Sequence, residues 1–147
     1  MPNPRVCLYT DGACSGNPGS GGWACILVCN GVEKEISGHE DFTTNNRMEM
    51  MAIIKGLSAL TKPCDVCIYT DSKYVLDGAQ KWLFSWIKNG WKTFNKKEVK
   101  NRALWLELAG LLKVHNVQWE WVKGHNGHVY NERADKLACL QRDKLPE

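Results

Sequence analysis

The sequence predicts an α/β domain with a five-stranded mixed sheet, in which a three-strand antiparallel meander is joined by two parallel strands and helices cover both faces. Three extended segments separated by turn residues come first, and helical and extended segments then alternate. Residues 5–11 and 65–71 are almost continuously β-branched, aromatic or Cys, which is typical of central strands covered on both faces. A chain of 147 residues has the size of one domain, so we expect residues 1–147 to fold as a single unit.

The N-terminal part of the chain predicts the meander. Residues 6–11 form its first strand, residues 23–29 its second and residues 32–39 its third. Asn30-Gly31 joins the last two as a hairpin turn. The glycine-rich stretch 12–22 predicts a turn between the first two strands, and no Gly-Lys-Ser/Thr follows it, which argues against a nucleotide-binding loop.

Helices and the two remaining strands alternate in the rest of the chain. Possible N-caps at residues 43–46 precede apolar residues at helical spacing, and this helix ends before Pro63. Residues 65–71 form the fourth strand. A helix then follows Asp71-Ser72 and extends to Asn89-Gly90, before an exposed loop at residues 96–100.

The C-terminal part predicts a helix, a strand and a last helix. Asn101 caps a helix that continues to Leu112, and residues 117–122 form the fifth strand. Asn131 caps a final helix that continues to Leu140. Right-handed crossovers then place the fourth and fifth strands parallel to the first.

The positive charge of the chain is concentrated in one stretch. The formal net charge is +3, yet residues 81–102 hold six Lys and one Arg against one acid, so this stretch carries +6 and the other 125 residues carry −3. The same stretch contains five aromatic rings: Trp82, Phe84, Trp86, Trp91 and Phe94. Cations interleaved with rings are typical of surfaces that bind phosphates and bases.

The cysteines favour a reduced environment. There are seven, an odd number, and most lie in apolar strand-like runs. Cys64 and Cys67 form one C-x-x-C pair, but no second pair follows and their spacing puts them on opposite faces of a strand, so a zinc or redox role is the weaker interpretation. With no leader and no apolar stretch of ~18–20 residues, we expect a cytoplasmic monomer without an obligate protein partner.

Two acids end the predicted central strands. Tyr9-Thr10-Asp11 and Tyr69-Thr70-Asp71 each close an extended run. Neighbouring strands lie ~4.8 Å apart, so the two carboxylates can share one ion. Carboxylates so close repel each other unless a cation or a proton lies between them, although each Asp could instead form a strand-ending Asx turn.

Two more acids lie on predicted helix faces that pack on the sheet. Glu49 shares a face with small and apolar residues, but it could instead complete a capping box with Asn46. Asp135 lies near the start of the last helix, where an acid also interacts favourably with the helix N-terminus. Four carboxylates without a His or Cys set favour Mg²⁺ or Mn²⁺, and two ions ~3.5–4 Å apart can catalyse phosphodiester cleavage.

The loop Gly124-His125-Asn126-Gly127-His128 precedes the last helix. Its glycines predict a mobile His125. Such a histidine could be exposed and idle, or it could transfer protons beside a metal-activated water.

Five motifs in order resemble bacterial ribonuclease H of type 1: Thr10-Asp11-Gly12, Thr44-Asn45-Asn46-Arg47-Met48-Glu49, Thr70-Asp71-Ser72, Trp119-Glu120-Trp121-Val122-Lys123-Gly124-His125 and Asn131-Glu132-Arg133-Ala134-Asp135. The resemblance covers nearly the whole chain and implies Mg²⁺-dependent cleavage of the RNA strand of RNA/DNA hybrids, with 5′-phosphate and 3′-hydroxyl ends. It implies that two Mg²⁺ ions, which Mn²⁺ can replace, are bound by Asp11, Glu49, Asp71 and Asp135. Asp11 would contact both ions, and His125 matches the mobile catalytic histidine.

The resemblance also implies two groups of contacts with the hybrid. Around the acids these are Gly12, Asn17, Thr44, Asn45, Asn46 and Lys73, the last of which stands where bacterial members often carry Gln. Residues 82–100, called the basic segment below, resemble the protrusion that grips the DNA strand. Its implied contacts are Trp82, Lys88, Trp91, Lys92, Lys96, Lys97 and Lys100.

Three other functions compete with the hybrid nuclease. A binding module without catalysis would retain the basic segment but not need all four acids. A transposase-like nuclease would use the same acids on DNA alone. A phosphoacceptor signalling domain would use strand-end aspartates without the basic segment.

Overall fold

The computed structural model of this chain describes residues 3–93, 95–123 and 128–144. Five strands and five α-helices follow in chain order, with a π-helical turn (Gly78–Trp82) between the second and third helices: β1 (Arg5–Gly16), β2 (Gly19–Cys29), β3 (Val32–Thr43), α1 (Asn45–Ser58), β4 (Asp65–Thr70), α2 (Lys73–Asp77), α3 (Leu83–Asn89), α4 (Arg102–Val114), β5 (Asn116–Trp121) and α5 (Val129–Arg142).

The predicted mixed sheet is confirmed. Its strand order is β3-β2-β1-β4-β5, with antiparallel pairing from β1 to β3 and parallel pairing of β4 with both β1 and β5. α1 packs on β1 and β2 on one face and contacts α4, while α5 packs on β1, β2 and β3 on the other face. The main core lies between the sheet and α1 and α4, where Leu8, Ile53, Ile68 and Trp105 are fully buried.

The glycine-rich stretch is strand and not the predicted turn. β1 continues to Gly16 and β2 begins at Gly19, so the turn itself occupies only the two residues between them. The glycines are required where helices approach the sheet. A Cβ at Gly12 would lie 2.5 Å from the backbone nitrogen of Glu49, and one at Gly22 would overlap the Ala138 carbonyl of α5.

Neither of two predicted caps makes a side-chain capping bond, although Asn101 does occupy the predicted N-cap position. α5 begins at Val129, so Asn131 lies inside its first turn, where it is buried and donates through Nδ2 to the Tyr69 carbonyl (3.4 Å). Asn101 precedes α4 in the left-handed conformation, with φ of 61°, and its side chain donates to the Tyr74 hydroxyl (3.1 Å). In both cases the side chain bonds to a residue distant in sequence and not to a backbone N–H group at the start of the helix.

The basic segment is helical at first and then irregular, as predicted. α3 ends at Asn89 and is followed by Gly90, whose φ of 78° is accessible to glycine without strain. Trp86 lies beside Trp91 and Trp105, with ring centroids 6.4 Å and 5.4 Å away, and joins the segment to the core. Within the predicted exposed loop 96–100, Val99 is the exception because it is buried.

No helix in the described part of the chain is long and apolar enough to cross a membrane.

We expect Gly22→Ala to destabilise the fold by about 1–3 kcal/mol, because the new methyl group would force α5 away from β2. At this chain length that corresponds to a melting temperature ~3–10 °C lower. Gly110→Ala is the matched control, since Gly110 lies within α4 with no neighbouring atom within 4 Å of the added Cβ. The control should gain about 0.5–1 kcal/mol from helix propensity. Equal melting temperatures for the two variants would contradict the close packing of α5.

Candidate metal centre

The register of the two central strands brings Asp11 and Asp71 together. Tyr9 of β1 pairs with Tyr69 of β4, and this is the last pair of that ladder. Two residues further along the chain, Asp11 within β1 and Asp71 directly after the end of β4 occupy equivalent positions. The sequence predicted that Asp11 ends β1. Instead, β1 continues past Asp11, which pairs with Ala24 of β2. The two strands part at the acids, which therefore lie at the opening of a crevice.

Glu49 reaches the same point from α1. Thr44 caps this helix by accepting a hydrogen bond from the Arg47 backbone nitrogen (3.2 Å), so Glu49 is not part of a capping box with Asn46. Its Oε1 accepts a hydrogen bond from the Gly12 backbone nitrogen (2.5 Å). Its Oε2 is buried without a hydrogen-bond partner among the described residues. A buried carboxylate oxygen without a partner is costly unless a cation or proton binds there.

Asp135 forms the wall of the site on the α5 side. Because α5 begins at Val129, Asp135 lies in the second turn, beyond the reach of the favourable interaction with the helix N-terminus. It is hydrogen-bonded to Asp11, and its Oδ1 accepts a long contact from the Cys139 thiol (3.7 Å). α5 therefore directs this acid at the other three.

Three of the four acids converge closely enough to hold an ion. One carboxylate oxygen from each of Asp11, Glu49 and Asp71 lies within 4.8 Å of the others. Asp135 is not part of this triad but lines the same open cavity of about 360 Å³. The remaining lining residues are Gly12, Asn45, Asn46, Ser72, Lys73 and Tyr74.

The electrostatics of the triad favour a bound cation. Burial, the neighbouring Asp71 charge and the hydrogen bond with Asp135 raise the pKa of Asp11 to about 8. Burial and the charges of Asp11 and Asp71 raise the pKa of Glu49 well above its usual value. Without a cation, protons partly neutralise these carboxylates at neutral pH. All-oxygen ligands of this kind fit a hard divalent ion.

Of the six residues predicted around the acids, Gly12, Asn45, Asn46 and Lys73 line this cavity, whereas Asn17 and Thr44 do not. Asn45 and Asn46 are exposed at the start of α1, and the Asn45 backbone nitrogen donates to Asn17 Oδ1 (3.2 Å). The Lys73 ammonium lies 3.9 Å from the centroid of the Trp121 ring. Sequence analysis missed Ser72 and Tyr74 as lining residues, although their positions directly after Asp71 were a usable signal.

The residues predicted in the basic segment divide into exposed and buried groups. Trp82 is 46% exposed, and the five lysines are exposed: Lys88, Lys92, Lys96, Lys97 and Lys100. Trp91 is only 6% exposed and belongs to the core, so its ring is not available at the surface. His125 lies outside the described residues.

Comparison with known proteins gives a consistent result. The family model for RNase H matches residues 3–142. A ribonuclease H of Francisella tularensis subsp. novicida is 63% identical over 134 residues, which cover 91% of this chain and 88% of that protein. LC9-RNase H1, a type 1 RNase H with the type 2 active-site motif, matches with a TM-score of 0.84 and 34% identity over 95% of this chain and 72% of that one. RNase H1 of Halobacterium salinarum matches with a TM-score of 0.71 and 28% identity over 95% of this chain and 98% of that one.

We expect the metal-free protein to lose stability as the pH rises. The pKa of Asp11 is raised in the folded state, from 3.8 to about 8, so folding favours the protonated acid. This contribution is complete below pH ~4 and is lost as the pH passes about 8; the raised pKa of Glu49 acts in the same direction. Urea denaturation with a chelator should therefore give a lower free energy of unfolding at pH 8 than at pH 5.

Asp11→Asn should remove most of this pH dependence. At pH 8 without metal it should stabilise the fold by about 1–2 kcal/mol, because repulsion between like charges is relieved. Asp77→Asn is the matched control, since Asp77 forms an ordinary i,i+4 pair with Lys81 (3.4 Å) and should shift stability by less than about 0.5 kcal/mol. A fall in the melting temperature of Asp11→Asn at pH 8 would show that the acids do not repel in the folded state.

Proposed function

We propose that this chain, which belongs to the ribonuclease H family, is an endonuclease that hydrolyses the RNA strand of RNA/DNA hybrids. The observation that carries this proposal is the convergence of Asp11, Glu49 and Asp71 within 4.8 Å in a cavity that Asp135 also lines. A metal-dependent hydrolase of phosphodiesters needs such an anionic site to hold the ions that offset phosphate charge.

The four acids would hold two Mg²⁺ ions, which Mn²⁺ can replace, with Asp11 contacting both. When bound, the ions supply an activated water and neutralise charge on the phosphate. Glu49 orients its carboxylate through the Gly12 backbone nitrogen, and its free Oε2 is available as a ligand. Asp135 lies on the opposite helix, so the acids approach the cavity from both faces of the sheet. We assign proton transfer to His125 and 5′-phosphate and 3′-hydroxyl ends to the products.

Recognition of the hybrid would involve both sides of the site. Gly12, Asn17, Thr44, Asn45 and Asn46 would contact the backbone beside the cavity. Asn45 and Asn46 are exposed there, and amide side chains both donate to and accept from ribose 2′-hydroxyls. Lys73, held over Trp121, would add a charge contact with phosphate. A site that needs 2′-hydroxyls on one strand and a deoxy backbone on the other rejects both pure duplexes.

The basic segment would grip the DNA strand. Its exposed lysines supply charge for phosphates, and the exposed Trp82 ring can lie against sugars. Trp91 would act from the core, by holding the segment in place. Seven free thiols are consistent with activity in a reducing compartment, and we place the protein in the cytoplasm.

We expect the purified protein to cut only the RNA strand of a hybrid. Cleavage of end-labelled RNA/DNA, RNA/RNA and DNA/DNA duplexes of one sequence should be compared with Mg²⁺ and with a chelator. Asp71→Asn should lower the rate at least ~100-fold, which corresponds to about 3 kcal/mol of transition-state stabilisation. Asp77→Asn, outside the cavity, should retain the wild-type rate.

Each of the other possible outcomes would indicate a different function for this chain. Tight hybrid binding without cleavage in Mg²⁺ or Mn²⁺ would indicate an inactive binding module. Cleavage of DNA/DNA would indicate a transposase-like nuclease. Activity that survives Asp71→Asn or the chelator would rule out the acid centre as the active site.

We expect the lysines of the basic segment to set the salt dependence of binding. Replacement of Lys88, Lys92, Lys96 and Lys97 with Ala should weaken hybrid binding and lower the slope of log K against log salt. Each lost phosphate contact should change the slope by about 0.9 if the hybrid behaves like duplex DNA. Binding isotherms at several salt concentrations measure this slope.

The matched control removes four exposed lysines from elsewhere on the chain: Lys34, Lys55, Lys62 and Lys113. This variant has the same net charge as the first but keeps the basic segment intact. Its slope should stay close to that of wild type. Equal slopes in the two variants would mean that only net charge matters and that the segment makes no phosphate contacts.

A further inference from the structure

A five-residue pattern, Cys-apolar-Tyr-Thr-Asp, occurs twice in the chain, at residues 7–11 and 67–71. The candidate metal centre uses the Asp of each copy. The parallel pairing of β1 and β4 places the two copies in register, so Cys7 is the partner of Cys67 and Tyr9 is the partner of Tyr69. Because side chains alternate along a strand, the two thiols point to one face of the sheet, one strand spacing apart.

The two thiols are accessible from solvent. Cys7 and Cys67 are both half-buried. They line an open cavity of about 400 Å³, together with Asp65, Asn116 and Gln118. This cavity is separate from the acid centre, whose cavity has none of these lining residues. A small ion can therefore reach both sulfur atoms without passing the acids.

The paired tyrosines hold the thiols in place. The rings of Tyr9 and Tyr69 stack with centroids 4.7 Å apart and an interplanar angle of 14°, and Tyr130 stacks on Tyr9 at 4.7 Å. Each of the paired tyrosines lies on the same face of its strand as the cysteine two residues before it, so Tyr9 neighbours Cys7 and Tyr69 neighbours Cys67. Neighbouring side chains of this kind orient metal ligands and tune their affinity.

We propose that Cys7 and Cys67 form a two-coordinate site for a soft monovalent metal ion of the Cu⁺ class. With metal–sulfur bonds of about 2.3 Å, as in zinc thiolates, a linear sulfur–metal–sulfur unit spans ~4.6 Å, close to the ~4.8 Å between neighbouring strands. A disulfide needs Cβ atoms ~3.5–4.5 Å apart, which is less than the strand spacing. The register therefore fits a bridging ion better than a sulfur–sulfur bond.

The surroundings select a soft ion with few ligands. Thiolates prefer soft ions, and a structural zinc site would need four ligands. In the described part of the chain, no third His, Cys or carboxylate converges with both thiols within 4.8 Å. On binding, the two thiols release two protons to solvent and form two sulfur–metal bonds. No electron is transferred.

The test is an anaerobic titration of the whole metal-free protein with Cu⁺ against a competing Cu⁺ chelator. Wild type should hold one ion per chain. Cys7→Ser and Cys67→Ser should each lower the affinity at least ~100-fold, and Tyr69→Phe should lower it ~10-fold. Cys14→Ser is the matched control, since Cys14 is another half-buried cysteine of β1, and it should bind like wild type.

A second measurement needs no variant and so does not depend on how the variants fold. Iodoacetamide labelling of wild type with and without Cu⁺, mapped by mass spectrometry, should show protection of Cys7 and Cys67 alone. Protection at Cys29 and Cys64 instead, unchanged uptake in both serine variants, or a Cys7–Cys67 disulfide would each overturn the proposal. Neither measurement uses nuclease activity, so both test the Cys7–Cys67 site independently of the proposed function.

Discussion

Repulsion between two carboxylates at equivalent positions of neighbouring strands is the constraint on which the candidate centre depends. The parallel register that pairs Tyr9 with Tyr69 also sets Asp11 beside Asp71. Burial strengthens the repulsion and raises the pKa of Asp11 to about 8. A fold that only had to be stable would avoid this arrangement. The proposed binding of cations, which would offset the charge, accounts for its presence in a solvent-accessible cavity.

Helix packing completes the centre, and the glycines of the sheet make this packing possible. Because Gly12 has no side chain, α1 approaches β1 closely enough for the Gly12 backbone nitrogen to donate a hydrogen bond to the Glu49 carboxylate. Gly22 does the same for α5, the helix that carries Asp135. The acids thus come from two strands and two helices on opposite faces. Their convergence depends on how closely the layers pack, and hence on residues that carry no side chain.

The same strands carry two different sets of candidate ligands. The Asp of each Cys-apolar-Tyr-Thr-Asp copy faces the acid cavity, whereas the Cys lies four residues earlier in a separate cavity. Hard oxygen ligands and soft sulfur ligands select different ions, so the two sites would not compete. The stacked tyrosines lie between them and order both strands. The basic segment has a similar division, since Trp82 is exposed while Trp86 and Trp91 anchor the segment to the core.

The sequence by itself determined the elements, their order and the four candidate acids, because hydrophobic periodicity and turn residues are local properties. It misplaced features that depend on contacts between distant residues. The glycines of 12–22 appeared to form a turn because their role is to admit helices that are far away in sequence. Asn131 appeared to be a cap, but its side chain donates a hydrogen bond to the Tyr69 carbonyl instead. Only the tertiary structure decided that Trp91 is buried, that Asp11 lies within a strand and that two thiols stand in register, because burial and register are set by packing across the whole chain.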